Sequence, residues 1–166
     1  MSELVVLGID PGLVDTGVVR MFFNPQEKSY ARDYHVFTAL GTEVEPLASW
    51  YDNAPGVTFI EAYRPRSAFT TDARMGTLVN DIRRAIPGSK TLLNQGAYSV
   101  VKQPLMEALD VWNFRWKTHH QDLRSAARIA LFGMLKDPDM NRVIYDYITD
   151  YLAGNPWEIM KGDIDE

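Results

Sequence analysis

Apolar positions in the first sixty residues fall in short dense runs rather than helical stripes. Leu4–Asp10 (LVVLGID) is almost continuously apolar and branched, the pattern of a strand buried on both faces at the centre of a sheet. Pro11-Gly12 ends it as a turn. Residues 17–23 (GVVRMFF) form a second run, broken by Asn24-Pro25. In residues 30–40, Tyr34, Val36 and Thr38 alternate with His35 and Phe37, which predicts a third strand. The lengths suggest an antiparallel meander. Residues 43–51 read as a short helix that tolerates Pro46 in its first turn. Val57–Glu61 (VTFIE) reads as a fourth strand. A helix capped by Thr71 or Asp72 runs to about Ile86, closed by Pro87-Gly88, and residues 90–93 make a fifth strand. Residues 104–112 read as helical. Over 119–136, Leu123, Ala126, Ala127, Ala130, Leu131 and Met134 recur at helical spacing. Asp137-Pro138 interrupts that helix, and a last one spans 140–152, closed by Gly154. This order predicts an α/β domain over residues 1–154, built on a five-stranded mixed sheet flanked by helices, followed by an acidic tail at 155–166.

Composition narrows the chemistry. The 166 residues, 46% apolar and 23% charged, suit one domain with its own core. Cysteine is absent, which excludes disulfides, thiolate metal sites and a cysteine nucleophile. No apolar run approaches the roughly 18–20 residues of a membrane span. Met1-Ser2-Glu3 lacks the basic start of a secretory signal, so a soluble cytoplasmic protein is expected.

The net charge of −5 argues against a nucleic-acid partner until its distribution is considered. Residues 1–60 carry −5, residues 61–136 carry +6 and residues 137–166 carry −6. A basic middle between acidic ends can present a positive face to phosphates.

Three places carry acid in a suggestive way. Asp10 ends the first apolar strand, where a carboxylate is costly unless paired, and Gly8 and Gly12 beside it would let backbone and ligand approach closely. Glu61 ends the fourth strand with the same grammar. If strands one and four are parallel neighbours, both acids reach one sheet edge, where open α/β sheets bind ligands. His119 and Asp122, three apart, share a face at the start of the 119–136 helix. Each alone has a plainer reading: a turn, a strand-end acid, a first-turn acid suited to the helix dipole. Together they make an oxygen-rich cage of the kind that holds Mg²⁺ or Mn²⁺, and two such ions about 4 Å apart can hydrolyse a phosphodiester. His120 and His35 lie off this pattern.

These residues resemble a known family. LGIDPGLVDTG (residues 7–17) resembles the opening strand and turn of the RuvC family of Holliday-junction resolvases. TFIEAY (58–63) is similar to its second acidic strand, and HHQDLRSAARIAL (119–131) to its C-terminal catalytic helix. The likeness spans about residues 4–135 and lies nearer a divergent, phage-type branch. It implies an RNase H-like fold, a homodimer, and divalent-metal nicking of branched DNA, symmetrically on paired strands, in a bacterial host cytoplasm if phage-encoded. It implies metal-binding catalytic roles for Asp10, Glu61, Asp122 and His119, with two Mg²⁺ or Mn²⁺ ions per site. Lys102 matches a lysine that contacts the scissile region, and Tyr63 or Phe69 the aromatic that probes the junction. Arg64 and Arg66, flanking Pro65, and Arg74 beyond them are candidates for phosphate contact. The acidic total charge, the arginine-rich stretch after Glu61 and the last 30 residues depart from the family pattern.

Other features stay open. Arg83-Arg84 suits a helix C-terminus. Trp112, Phe114 and Trp116 would either stack on unpaired bases or pack a cap or subunit interface. Arg124 and Arg128 could balance the carboxylates, or face solvent or the last helix with its Asp146 and Asp150. Alternatives to the resolvase are an RNase H-like nuclease on RNA or RNA–DNA hybrid, and an inactive branched-DNA-binding module. An ATPase of the actin or hexokinase kind shares the Gly-Ile-Asp opening but needs two such domains, so neither a nucleotide cofactor nor a membrane is expected.

Overall fold

The structure, a computed structural model, describes residues 3–40, 43–62, 70–116, 118–151 and 159. Its sheet is built from β1 (Leu4–Asp10), β2 (Asp15–Asn24), β3 (Ser29–Thr38), β4 (Val57–Glu61) and β5 (Lys90–Leu92), in the spatial order β3-β2-β1-β4-β5. The first three strands pair antiparallel as a meander, while β4 pairs parallel to β1 and β5 parallel to β4. The expected five-stranded mixed sheet is therefore present, with β1 at its centre.

Side-chain alternation gives each face its own layer. Val6, Val19, Met21, Phe23 and Phe59 point to a core completed by α5 (His120–Lys136), with α6 (Pro138–Asp146) behind it. Ile9, Val18 and Ile60 point to the opposite layer, built by α1 (Glu45–Asn53) and α2 (Thr70–Ala85). Helix α5 lies flat on the sheet because small residues line the contact. A Cβ on Gly8 would run into the Ala126 carbonyl, and one on Gly17 would sit 2.8 Å from the Asp122 carbonyl. Gly8 thus admits the backbone of a helix, and Gly12 the backbone of its own turn at Asp15, the close backbone approach expected of both glycines.

Arg20 interrupts an otherwise apolar β2, yet only 3% of it is exposed. Its guanidinium forms two hydrogen bonds to Asp33, at 3.0 and 2.6 Å, donates to the Trp50 and Ala54 carbonyls, and lies 3.8 Å over the Trp50 ring. The side chain pins the open end of α1 to the sheet.

Three segments differ from expectation. The predicted 104–112 helix is the shorter α4 (Gln103–Ala108), followed by Asp110 at φ 55°, and an unpredicted short helix, α3 (Ala97–Val100), precedes it. The chain beyond α4 is strapped along β3: Tyr30 donates to the Leu109 carbonyl at 2.6 Å, Arg32 pairs with Asp110 at 2.9 Å, and the Arg115 amide donates to the Tyr34 hydroxyl at 2.8 Å. Phe114 is buried against Tyr34, and Trp116 contacts Tyr34 and His35, so this aromatic run packs the strap. Finally, Pro138 opens α6 instead of breaking the chain for longer, because Asp137 caps the Asp139 and Met140 amides. A π-helical turn, Tyr147–Tyr151, follows; Gly154 and, apart from Ile159, the acidic tail lie outside the described residues. Among the described residues no helix is long and apolar enough to cross a membrane.

Candidate active site

The parallel pairing of β1 with β4 sets Gly8 opposite Phe59 and Ile9 opposite Ile60, so Asp10 and Glu61 leave the sheet side by side. Alternation aims both toward α5: Asp10 shares a face with Val6 and Gly8, Glu61 with Phe59. The first turn of α5 delivers Asp122 to the same spot, its carbonyl pressed on Gly17, the β2 partner of Asp10. The predicted convergence of Asp10, Glu61 and Asp122 is observed.

The electrostatics follow from that crowding. Burial, then the Glu61 charge and the hydrogen bond to Glu61, then the Asp122 charge push the Asp10 carboxyl up to about 9. At neutral pH Asp10 therefore holds a proton and donates it to Glu61. Asn94, just past β5, donates to the other side of the pair, 2.7 Å from Glu61 Oε1.

His119 precedes α5 in the left-handed region at φ 65°, a conformation costly for a residue with a Cβ. This folds the imidazole over the first turn. Nδ1 lies 3.1 Å from Asp122 Oδ2 and 3.5 Å from Asp15 Oδ2. Both contacts are made by Nδ1, so Nε2, on the other side of the ring, takes part in neither.

Sequence reasoning missed Asp15 and Asn94. The signal for Asp15 was parity: two residues before Gly17, it shares the α5-facing side of β2. Asn94 follows β5 in a turn and had no pattern to mark it. Arg124 and Arg128 do not neutralise the acids through ion pairs. Arg124 lies 3.9 Å over Trp112 and donates to its carbonyl, while buried Arg128 lies 4.1 Å over Tyr98 and donates to the Val101 carbonyl. Lys102 is the half-buried N-cap of α4, and Arg74 is exposed on α2. Tyr63, Arg64, Arg66 and Phe69 lie outside the described residues.

Among the described residues, no three His, Asp or Glu side chains are drawn together tightly enough to hold a metal ion as they stand. The donor set nevertheless fits a divalent cation. The Asp10 carboxyl feels both the Glu61 and the Asp122 charges, a repulsion that a divalent cation held by hard oxygen donors would relieve.

No family model matches the sequence, and no curated protein matches it. Solved structures do match. RuvC of Thermus thermophilus, in complex with Holliday junction substrate, aligns at a TM-score of 0.57 with 14% identity, over 77% of this chain and 90% of that one. A second Thermus thermophilus RuvC structure aligns at 0.54 with 15% identity, over 77% and 92%. The chain has the RuvC fold. The RNase H-like architecture implied by the sequence resemblance is thus the one observed, despite identity too low for a sequence match. Within the RuvC fold of this chain, the acids sit at the edge shared by β1, β4 and the start of α5.

Proposed function

We propose that this protein is a divalent-metal-dependent endonuclease that nicks branched DNA, four-way junctions above all. The observation that carries this reading is the convergence of Asp10, Glu61 and Asp122 on one edge of a RuvC fold. The solved complex of a protein with this fold and Holliday junction substrate supports the choice of DNA. Asp10, Glu61 and Asp122 would hold Mg²⁺ or Mn²⁺, two ions per site. Bound there, such ions activate the attacking water and stabilise the leaving oxygen of a phosphodiester. Asn94 fixes the Glu61 carboxylate, and Asp15 with Asp122 fixes the His119 ring, whose Nε2 ligates or positions water. Arg64, Arg66, Arg74 and Lys102 contact backbone phosphates, and Tyr63 or Phe69 probes the branch. Residues 1–154 form the nuclease domain and 155–166 an acidic tail. The active form is a homodimer that cuts paired strands symmetrically in a cytoplasm.

Cleavage of a labelled four-way junction beside linear duplex, with Mg²⁺, Mn²⁺ or EDTA, tests this. Paired nicks near the crossover, only with metal, are expected. Tight junction binding without cleavage in either metal would overturn the enzymatic reading. Equal cutting of linear duplex would keep the acid site and discard branch specificity.

A further inference from the structure

A narrow cleft with room for about one water, 10 Å³, opens beside the acids. Glu61, Asn94, Tyr98, Ser125 and Arg128 are among its walls. Tyr98 stands out on its rim. It is 62% exposed, yet it sits on a firmly held scaffold. Ala97 in α3 and Val101 just past its end are buried in the core, and the Val101 amide donates to the Ala97 carbonyl at 2.8 Å.

A single exposed tyrosine is ordinary on a protein surface. This one is backed by a cation. The Arg128 guanidinium lies 4.1 Å from the ring centroid, is itself 8% exposed, and is held by its Nε hydrogen bond to the Val101 carbonyl. Among the described residues no carboxylate forms an ion pair with Arg128. The buried charge therefore fixes one face of the ring and leaves the other to solvent. Leu93 and Val100, 43% and 40% exposed, lie in the same stretch of chain.

A rigid aromatic face next to a carboxylate that handles phosphodiesters suits one kind of occupant: a nucleobase that has lost its own stacking neighbour. Bases inside a duplex have both faces covered; bases at a branch point do not. We infer that Tyr98, backed by Arg128, is a stacking platform for the unpaired base beside the cleaved phosphodiester. This rests on the nuclease reading and gives it a positioning residue that selects branched over continuous DNA.

The test uses full-length protein and a four-way junction with 2-aminopurine next to the crossover. In Asp10→Asn protein, which binds without cutting, the probe is expected to be quenched on binding. Adding Tyr98→Phe keeps the quench; adding Tyr98→Ala or Tyr98→Leu removes it. With Asp10 restored, Tyr98→Ala and Tyr98→Leu raise KM on the junction about tenfold or more, and Tyr98→Phe does not. If the wild type cuts the junction and Tyr98→Ala changes neither quench nor KM, the platform is refuted while the nuclease reading stands. If no metal supports cutting but the quench still depends on Tyr98, the nuclease reading falls and the platform stands. Loss of both signals overturns both.

Discussion

Asp10 meets two opposed demands. It must be a carboxylate to hold a cation, yet the fold places it where ionisation is expensive. An unfolded aspartate ionises near 3.8, whereas burial and two neighbouring acids push the folded group to about 9. Between those values the folded chain holds a proton that the unfolded chain has lost, so rising pH erodes stability throughout that window. Asp10→Asn removes the titration and can still donate to Glu61. In EDTA its melting temperature should exceed that of the wild type by a margin that widens from pH 5 to pH 9, reaching on the order of 5 °C. The same variant should lose cleavage by roughly a thousandfold or more while keeping junction affinity. A melting curve that does not separate from the wild type with pH would remove the crowding argument. Asn94→Ala frees the Glu61 carboxylate from the Asn94 amide; a drop of about tenfold in metal affinity, read by titration calorimetry, is expected, with the fold intact.

At the scale of elements, helix α5 does two jobs with one face: it closes the core and carries Asp122 to the sheet edge. That depends on contact without spacers. Gly8→Ala drives a methyl into the Ala126 carbonyl and should cost about 3 kcal/mol in urea unfolding, lowering activity by lifting Asp122 off Gly17. Much of this was legible in the chain. The bounds of β1 and β4 follow from dense apolar runs that end in an acid, and the small residues Ala126, Ala130 and Gly133 announce a helix that lies close to a sheet. What the chain did not disclose depends on partners distant in sequence. Arg20 reads as a polar slip in a strand until α1 folds back to offer its terminal carbonyls; Arg20→Ala should cost about 3 kcal/mol by the same assay. Asn94 becomes a site residue only because β5 pairs beside β4. Helix α3 escaped a periodicity reading because a helix of four residues is too short to show one.

At the scale of the whole molecule, charge is segregated along the chain. The −5 of residues 1–60 falls on the meander and α1, while within the +6 of residues 61–136 Arg74, Arg83 and Arg84 lie on α2, Lys90 on β5 and Lys102 at the start of α4. A negative total therefore says little about what one flank attracts, because salt screens charges beyond about 10 Å at 0.1 M. Phosphate contacts on the positive flank would release counterions, so log affinity for a four-way junction should fall linearly with log salt. Arg74→Ala, on α2, and Lys102→Ala, at the start of α4, should each flatten that slope by about one. Arg142→Ala, exposed on α6 within the acidic third of the chain, should leave it unchanged. Fluorescence anisotropy between 50 and 200 mM salt measures all three. Equal slopes for the three variants would mean that the DNA does not lie along the β4–β5 flank, and that the charge segregation serves solubility rather than binding.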